Sequence, residues 1–144
     1  METGIGELFA GKGLPDIRTY SPGALAYIGD GIYELLVRTK LLSEGNRPAD
    51  ELQRQGIRFS KAVSQAAAVD ALLAEDFLSE EELTVYKRGR NTDTHSHSRN
   101  ASHADYQKAT GLECLFGFLY LSGKDERLLE LFRAVIKAIE EQTK

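Results

Sequence analysis

Cysteine is nearly absent from this chain: Cys114 is the only one in 144 residues, so no internal disulfide can form, and such usage suits a reducing compartment. Cys114 stands among apolar residues with no histidine as its immediate neighbour, which favours packing over nucleophilic chemistry. No apolar run approaches the roughly 20 residues that cross a bilayer. The N-terminal METGIGELFAGKGLPDIR lacks the basic-then-apolar order of a secretory signal. A cytoplasmic protein with no membrane partner is therefore expected. No segment alternates as a strand does, nothing repeats at a fixed period, and no linker is long enough to divide the chain. His95, His97 and His103 have no cysteines near them, so H-S-H reads as a solvated segment before it reads as a zinc site.

What is present points to helices. At 42% hydrophobic and 28% charged, the chain can bury one sizeable core. The expectation is a single all-α domain over residues 1–144, with an irregular segment at 1–20. Ser21-Pro22 opens a helix in cap-then-proline order, running to about Leu42. Gly45, Asn46 and Pro48 make a turn. A helical region follows to about Glu75, with a break near Gly56 to Phe59. Its second half, SKAVSQAAAVDALLAE, is alanine-rich. Ser79 and Glu82 have capping-box spacing and start a short helix to about Arg88. Residues 91–103 read as an exposed polar loop, of a length that usually marks function or disorder. A helix over about Ala104 to Leu121 ends at Gly123. Asp125 then caps a last amphipathic helix whose apolar residues are Leu128, Leu129, Leu131, Phe132, Val135, Ile136 and Ile139.

The net charge of −4 hides segregation. Arg38 to Lys61 holds six basic residues against three acidic ones, and Tyr86 to Asn100 holds four against one. Between them, Asp70 to Glu82 carries six acids and no base. Local basic patches on an acidic protein can bind a polyanion. Lys87, Arg88 and Arg90 are the first candidates for such contacts, and Arg58 and Lys61 the second. Solvated helix surface is the bland alternative for either patch taken alone.

Two acids stand out. Asp30 lies in LAYIGDGIYELL and Glu113 in TGLECLFGFLYL, each otherwise apolar and marked by glycine. A charge within an apolar segment is costly to bury unless it is paired or holds a metal. Two packed helices would bring one acid each to a shared site, where hard oxygen ligands favour Mg²⁺ or Mn²⁺. Gly29 and Gly31 flank Asp30, and mid-helix glycine costs roughly 1 kcal/mol against alanine, which close approach of another backbone would explain. Either acid could instead cap a helix or pair with Arg38 or Lys108. Glu34, one turn from Asp30, could support a metal site, sit at an interface or pair with Arg38.

ALAYIGDGIYELL resembles the ribonuclease III motif E-x-x-E-F-L-G-D-A-V-L-E, with Leu25, Tyr27, Ile28, Gly29, Asp30, Ile32 and Glu34 in register. LECLFGFLYLSG resembles the same family's D-A-L-E-A-L-I-G-A-I-Y-L-D, through Leu112, Glu113, Leu115, Gly117, Tyr120 and Leu121. The resemblance covers about Ser21 onward. Gly23, Ala26 and Thr110 stand where the family has further acids, and no sequence is left for a C-terminal double-stranded-RNA-binding domain. The combination is similar to Mini-ribonuclease III, the short bacterial branch of the family, which YKRGRN and SKAVSQA also resemble.

That resemblance implies an all-α endonuclease fold acting as a homodimer. It implies Mg²⁺-dependent hydrolysis of double-stranded RNA, chiefly the 23S ribosomal RNA precursor, to 5′-phosphate and 3′-hydroxyl ends. A large-subunit ribosomal protein is a candidate partner. By position, Asp30 and Glu113 become the catalytic, metal-binding acids, and Tyr27 the aromatic that packs across the dimer interface. With other acids missing, one metal ion per site is easier to support than two. The rival readings are a non-catalytic helical module that binds RNA or the ribosome, and a plain dimerisation domain. Retention of both Asp30 and Glu113 weighs against them.

Overall fold

Ser21 and Pro22 do start the first helix: the Ser21 hydroxyl accepts from the Ala24 N–H at 3.1 Å, and Pro22 occupies the turn whose N–H groups need no helical partner. The structure is a computed structural model that describes residues 16–92 and 101–142. Within them lie six α-helices and no strand: α1 (Pro22–Ser43), α2 (Ala49–Ser60), α3 (Ala62–Ala74), α4 (Glu80–Arg90), α5 (His103–Leu121) and α6 (Asp125–Gln142). The fold is all-α, as the sequence leads one to expect. Of the segment at 1–20, only a short 3-10 turn at Ile17–Thr19 and its flanks are described. Most of the loop expected at 91–103, with His95 and His97, lies outside the described residues, and His103 is already the first residue of α5.

The break in the second helical region falls at Lys61, later than Gly56 to Phe59. The reason is tertiary. The buried Tyr33 hydroxyl donates to the Phe59 carbonyl at 2.7 Å, engaging an oxygen at the end of α2. Lys61 turns to extended backbone, and its carbonyl accepts from Gln65 to open α3. A second correction concerns Asp125. The Lys124 carbonyl accepts the first bond of α6 from Leu128, so Asp125 is a first-turn acid favoured by the helix dipole and not the cap.

The capping box at Ser79 and Glu82 forms with both of its hydrogen bonds, and a second one joins Ser102 and Asp105 at the start of α5. Glu82 is also buried, and Arg127 on α6 meets both of its carboxylate oxygens at 2.8 Å while donating to the Phe77 carbonyl. A bidentate partner of this kind is what lets a carboxylate be buried ionised.

Helix α5 is the core of the molecule. Leu112, Leu115, Phe116, Phe118 and Leu119 are buried on several of its faces, and α1, α3, α4 and α6 pack around it. Tyr33 joins α1 to this core through ring contacts with Phe116 and Phe132 at 5.3 and 5.9 Å. The α1–α5 contact is the tightest in the fold. A Cβ on Gly29 would meet the Glu113 carbonyl oxygen, and one on Gly117 would lie 2.0 Å from the Leu25 carbonyl oxygen. Gly31 differs: nothing lies within 4 Å of its would-be Cβ, so close approach within the protomer accounts for Gly29 and not for Gly31.

Candidate active site

Asp30 and Glu113 come together because the backbones that carry them touch. Gly29 sits against the peptide unit of Glu113, which sets the next residue of α1 beside the α5 acid. Asp30 is exposed, and Glu113 is half-buried at the helix contact. Glu113 is pushed up to about 8, first by burial, then by the Asp30 charge, with a smaller push from Glu34. Two carboxylates in mutual repulsion resist ionising together unless something positive joins them.

No basic side chain among the described residues does so. Lys108, considered from sequence as a partner, pairs with Asp70 at 2.8 Å, and Arg38 lies 3.7 Å from Glu34. Neither acid caps a helix among the described residues. Glu34 thus pairs with Arg38 and also adds its field to Glu113.

The donor set suits a hard divalent ion. Mg²⁺ retains waters and is commonly held by one or two carboxylates together with substrate phosphate oxygens. Among the described residues no three His, Cys, Asp or Glu side chains form a metal cage. Two carboxylates, one of them exposed, are a donor set of the kind Mg²⁺ takes. Mn²⁺ shares the same ligand preference.

The sequence reading missed Gln65. It lies in the first turns of α3, almost fully buried, and its amide acts on the Glu113 carboxyl, drawing its pKa down against burial. Nε2 nevertheless falls short of a formed hydrogen bond. The signal was a lone amide in AVSQAAAV, which alanine content masked as a helix of pure propensity.

The basic residues flank this end of α5. Gly89 packs onto Gly111 and Cys114, which seats Arg88 and Arg90 near the Glu113 turn, and the Arg88 charge is felt at Cys114. Lys87 and Arg88 are exposed, whereas Arg90 stacks over Tyr86 at 5.8 Å. Lys61 is exposed one turn before Gln65, and the Arg58 guanidinium lies 5.0 Å from the Phe59 ring. Cys114 is buried and burial pushes its thiol up to about 11, so it is inert packing, in keeping with the sequence reading.

Tyr27 contrasts with all of these. It is 84% exposed on α1, followed along the helix by exposed Leu35 and Leu42. Next to this stripe, α1 and α2 enclose a groove of about 730 Å³ lined in part by Leu42, Leu52, Gly56, Ile57 and Ser60.

Comparison with known proteins agrees with this layout. A model of the ribonuclease III domain matches residues 23–124, a span that holds both acids and the α1–α5 contact. A Mini-ribonuclease 3 of Clostridium tetani is 39% identical over 140 residues, covering 96% of this chain and 89% of its own. A Mini-ribonuclease 3 of Enterococcus faecalis is 43% identical over 118 residues, covering 82% and 89%. An X-ray crystal structure of a protein from Fusobacterium nucleatum superposes with a TM-score of 0.74 at 31% identity, covering 86% of this chain and 98% of that one.

Proposed function

Because the chain belongs to the ribonuclease III family, as an endoribonuclease of the Mini-ribonuclease 3 kind, we propose that it hydrolyses double-stranded RNA at a divalent-cation site formed by Asp30 and Glu113. The 23S ribosomal RNA precursor is the substrate on this reading, and the products carry 5′-phosphate and 3′-hydroxyl ends. The observation that carries it is that the Gly29–Glu113 backbone contact brings two carboxylates from two helices together, with no ion pair to a basic side chain among the described residues.

A bound Mg²⁺ or Mn²⁺ would polarise the scissile phosphate and lower the pKa of an attacking water. Asp30 and Glu113 would hold the ion, Glu113 as the ionised carboxylate. Asp30, being exposed, faces the phosphate. Lys87, Arg88 and Arg90 grip the backbone on one side, with Arg58 and Lys61 on the other, and Glu34 keeps Arg38 from neutralising the pair. Recognition rests on duplex shape, phosphates and 2′-hydroxyls more than on base identity.

The active form on this reading is a homodimer joined through the Tyr27 stripe and the neighbouring groove, which puts two sites along one duplex, one for each strand. An exposed tyrosine beside apolar neighbours is the composition typical of an interface centre. A cytoplasmic setting and one metal ion per site complete the proposal, and a large-subunit ribosomal protein that shapes the precursor fits it.

The test is to offer the protein a long RNA duplex, precursor 23S RNA and a single strand of matched sequence, each with Mg²⁺. Cutting of the first two, with 5′-monophosphate ends, is expected. Equal cutting of the single strand, or 5′-hydroxyl ends, would overturn the reading.

A further inference from the structure

Gln65 is costly where it stands. The side chain is 1% exposed, with Ala66, Ala68 and Val69 buried around it in the sequence, and its Nε2 has no hydrogen-bond partner among the described residues. An unmet donor inside a protein is destabilising, and an apolar side chain of similar shape would avoid that cost. The cost has one visible counterpart: the amide lies against Glu113 and acts on it as a donor would, opposing the effect of burial.

We propose that Gln65 is a positioning residue for the acid pair, its Nε2–H donating to the Glu113 carboxylate and holding it toward Asp30 when a divalent cation is bound. The inference rests on Asp30 and Glu113 being the cation's ligands. A neutral donor suits this place. Lysine or arginine would attract the same carboxylate but would also cancel the negative charge the ion needs. An amide orients the ligand and leaves its charge intact, as partners behind metal ligands commonly do.

The experiment is calorimetric titration of Mn²⁺ into the full-length, metal-free protein, with Gln65→Met and Gln65→Leu compared with the native chain and Asp30→Asn. Melting temperatures are taken without cation for each. Met keeps the length of glutamine and Leu its bulk, so one variant remains informative if the other fails to fold. The expected result is Mn²⁺ affinity weakened 10- to 100-fold in both, the range seen when such supporting partners are removed, with melting temperature equal to or above native. Native affinity in the variants would overturn the role of Gln65 while leaving the two-acid site standing. Weaker binding only in step with a lower melting temperature would reduce Gln65 to packing. A native chain that binds no Mn²⁺, or binds it equally well as Asp30→Asn, would instead bring down the reading of the site itself.

Discussion

A Cβ placed on Gly29 would stand 1.7 Å from the carbonyl oxygen of Glu113. No side-chain adjustment relieves a clash with a helix backbone, so α1 and α5 would have to separate. Gly29→Ala should therefore destabilise the protein by about 3 kcal/mol or more, at the upper end for overpacking, instead of giving the gain alanine brings to an open helix position. Urea unfolding measures this. Any Gly29→Ala protein that stays folded should also cut RNA poorly, because Asp30 moves away from Glu113. Native stability in this variant would show that the helices are not in backbone contact.

The position of Glu113 sets a pH dependence. Its carboxyl rises from the usual 4.5 to about 8, chiefly through burial. The folded state thus holds a proton that the unfolded chain has released, so this group's contribution is full below about 4.5 and lost as pH climbs toward 8. In EDTA, Glu113→Gln should gain melting temperature over the native chain at pH 8 and lose that advantage near pH 4.5. Divalent-ion affinity of the native chain should rise with pH over the same window, as the ion displaces the proton. A melting-temperature gap equal at both pH values would contradict the assignment.

Tyr27 makes a prediction about assembly. If its exposed ring is the centre of the dimer contact, Tyr27→Ala should weaken self-association by about 2 kcal/mol or more, roughly 30-fold. Sedimentation over a concentration series would read the shift from dimer to protomer. RNA cleavage should fall with the dimer fraction. A variant that dimerises as well as the native chain would place the interface elsewhere.

Local physics made much of the fold legible beforehand. Ser21-Pro22 and Ser79 with Glu82 are signals whose partners lie within four residues, and the apolar face of α6 repeats at helical spacing, so each could be read directly. The acids Asp30 and Glu113 were visible because charge interrupts two apolar segments. What the sequence hid depends on distant partners. The break at Lys61 follows from a bond between Tyr33 and Phe59, 26 residues apart, and no propensity encodes it. Glu82 could be read as a cap but not as the buried partner of Arg127, 45 residues on. Gln65 was overlooked for the same reason: its significance lies in its place against Glu113 on another helix, while its surroundings in sequence say only helix.

Mg²⁺-dependent cleavage of a long double-stranded RNA tests the central claim most directly, comparing the native chain with Asp30→Asn and Glu113→Gln. Cutting by the native protein that stops in EDTA, and a loss of at least about 100-fold in both variants with folding and self-association intact, is the predicted result. Duplex cleavage that persists in either variant, or that proceeds without a divalent ion, would contradict it.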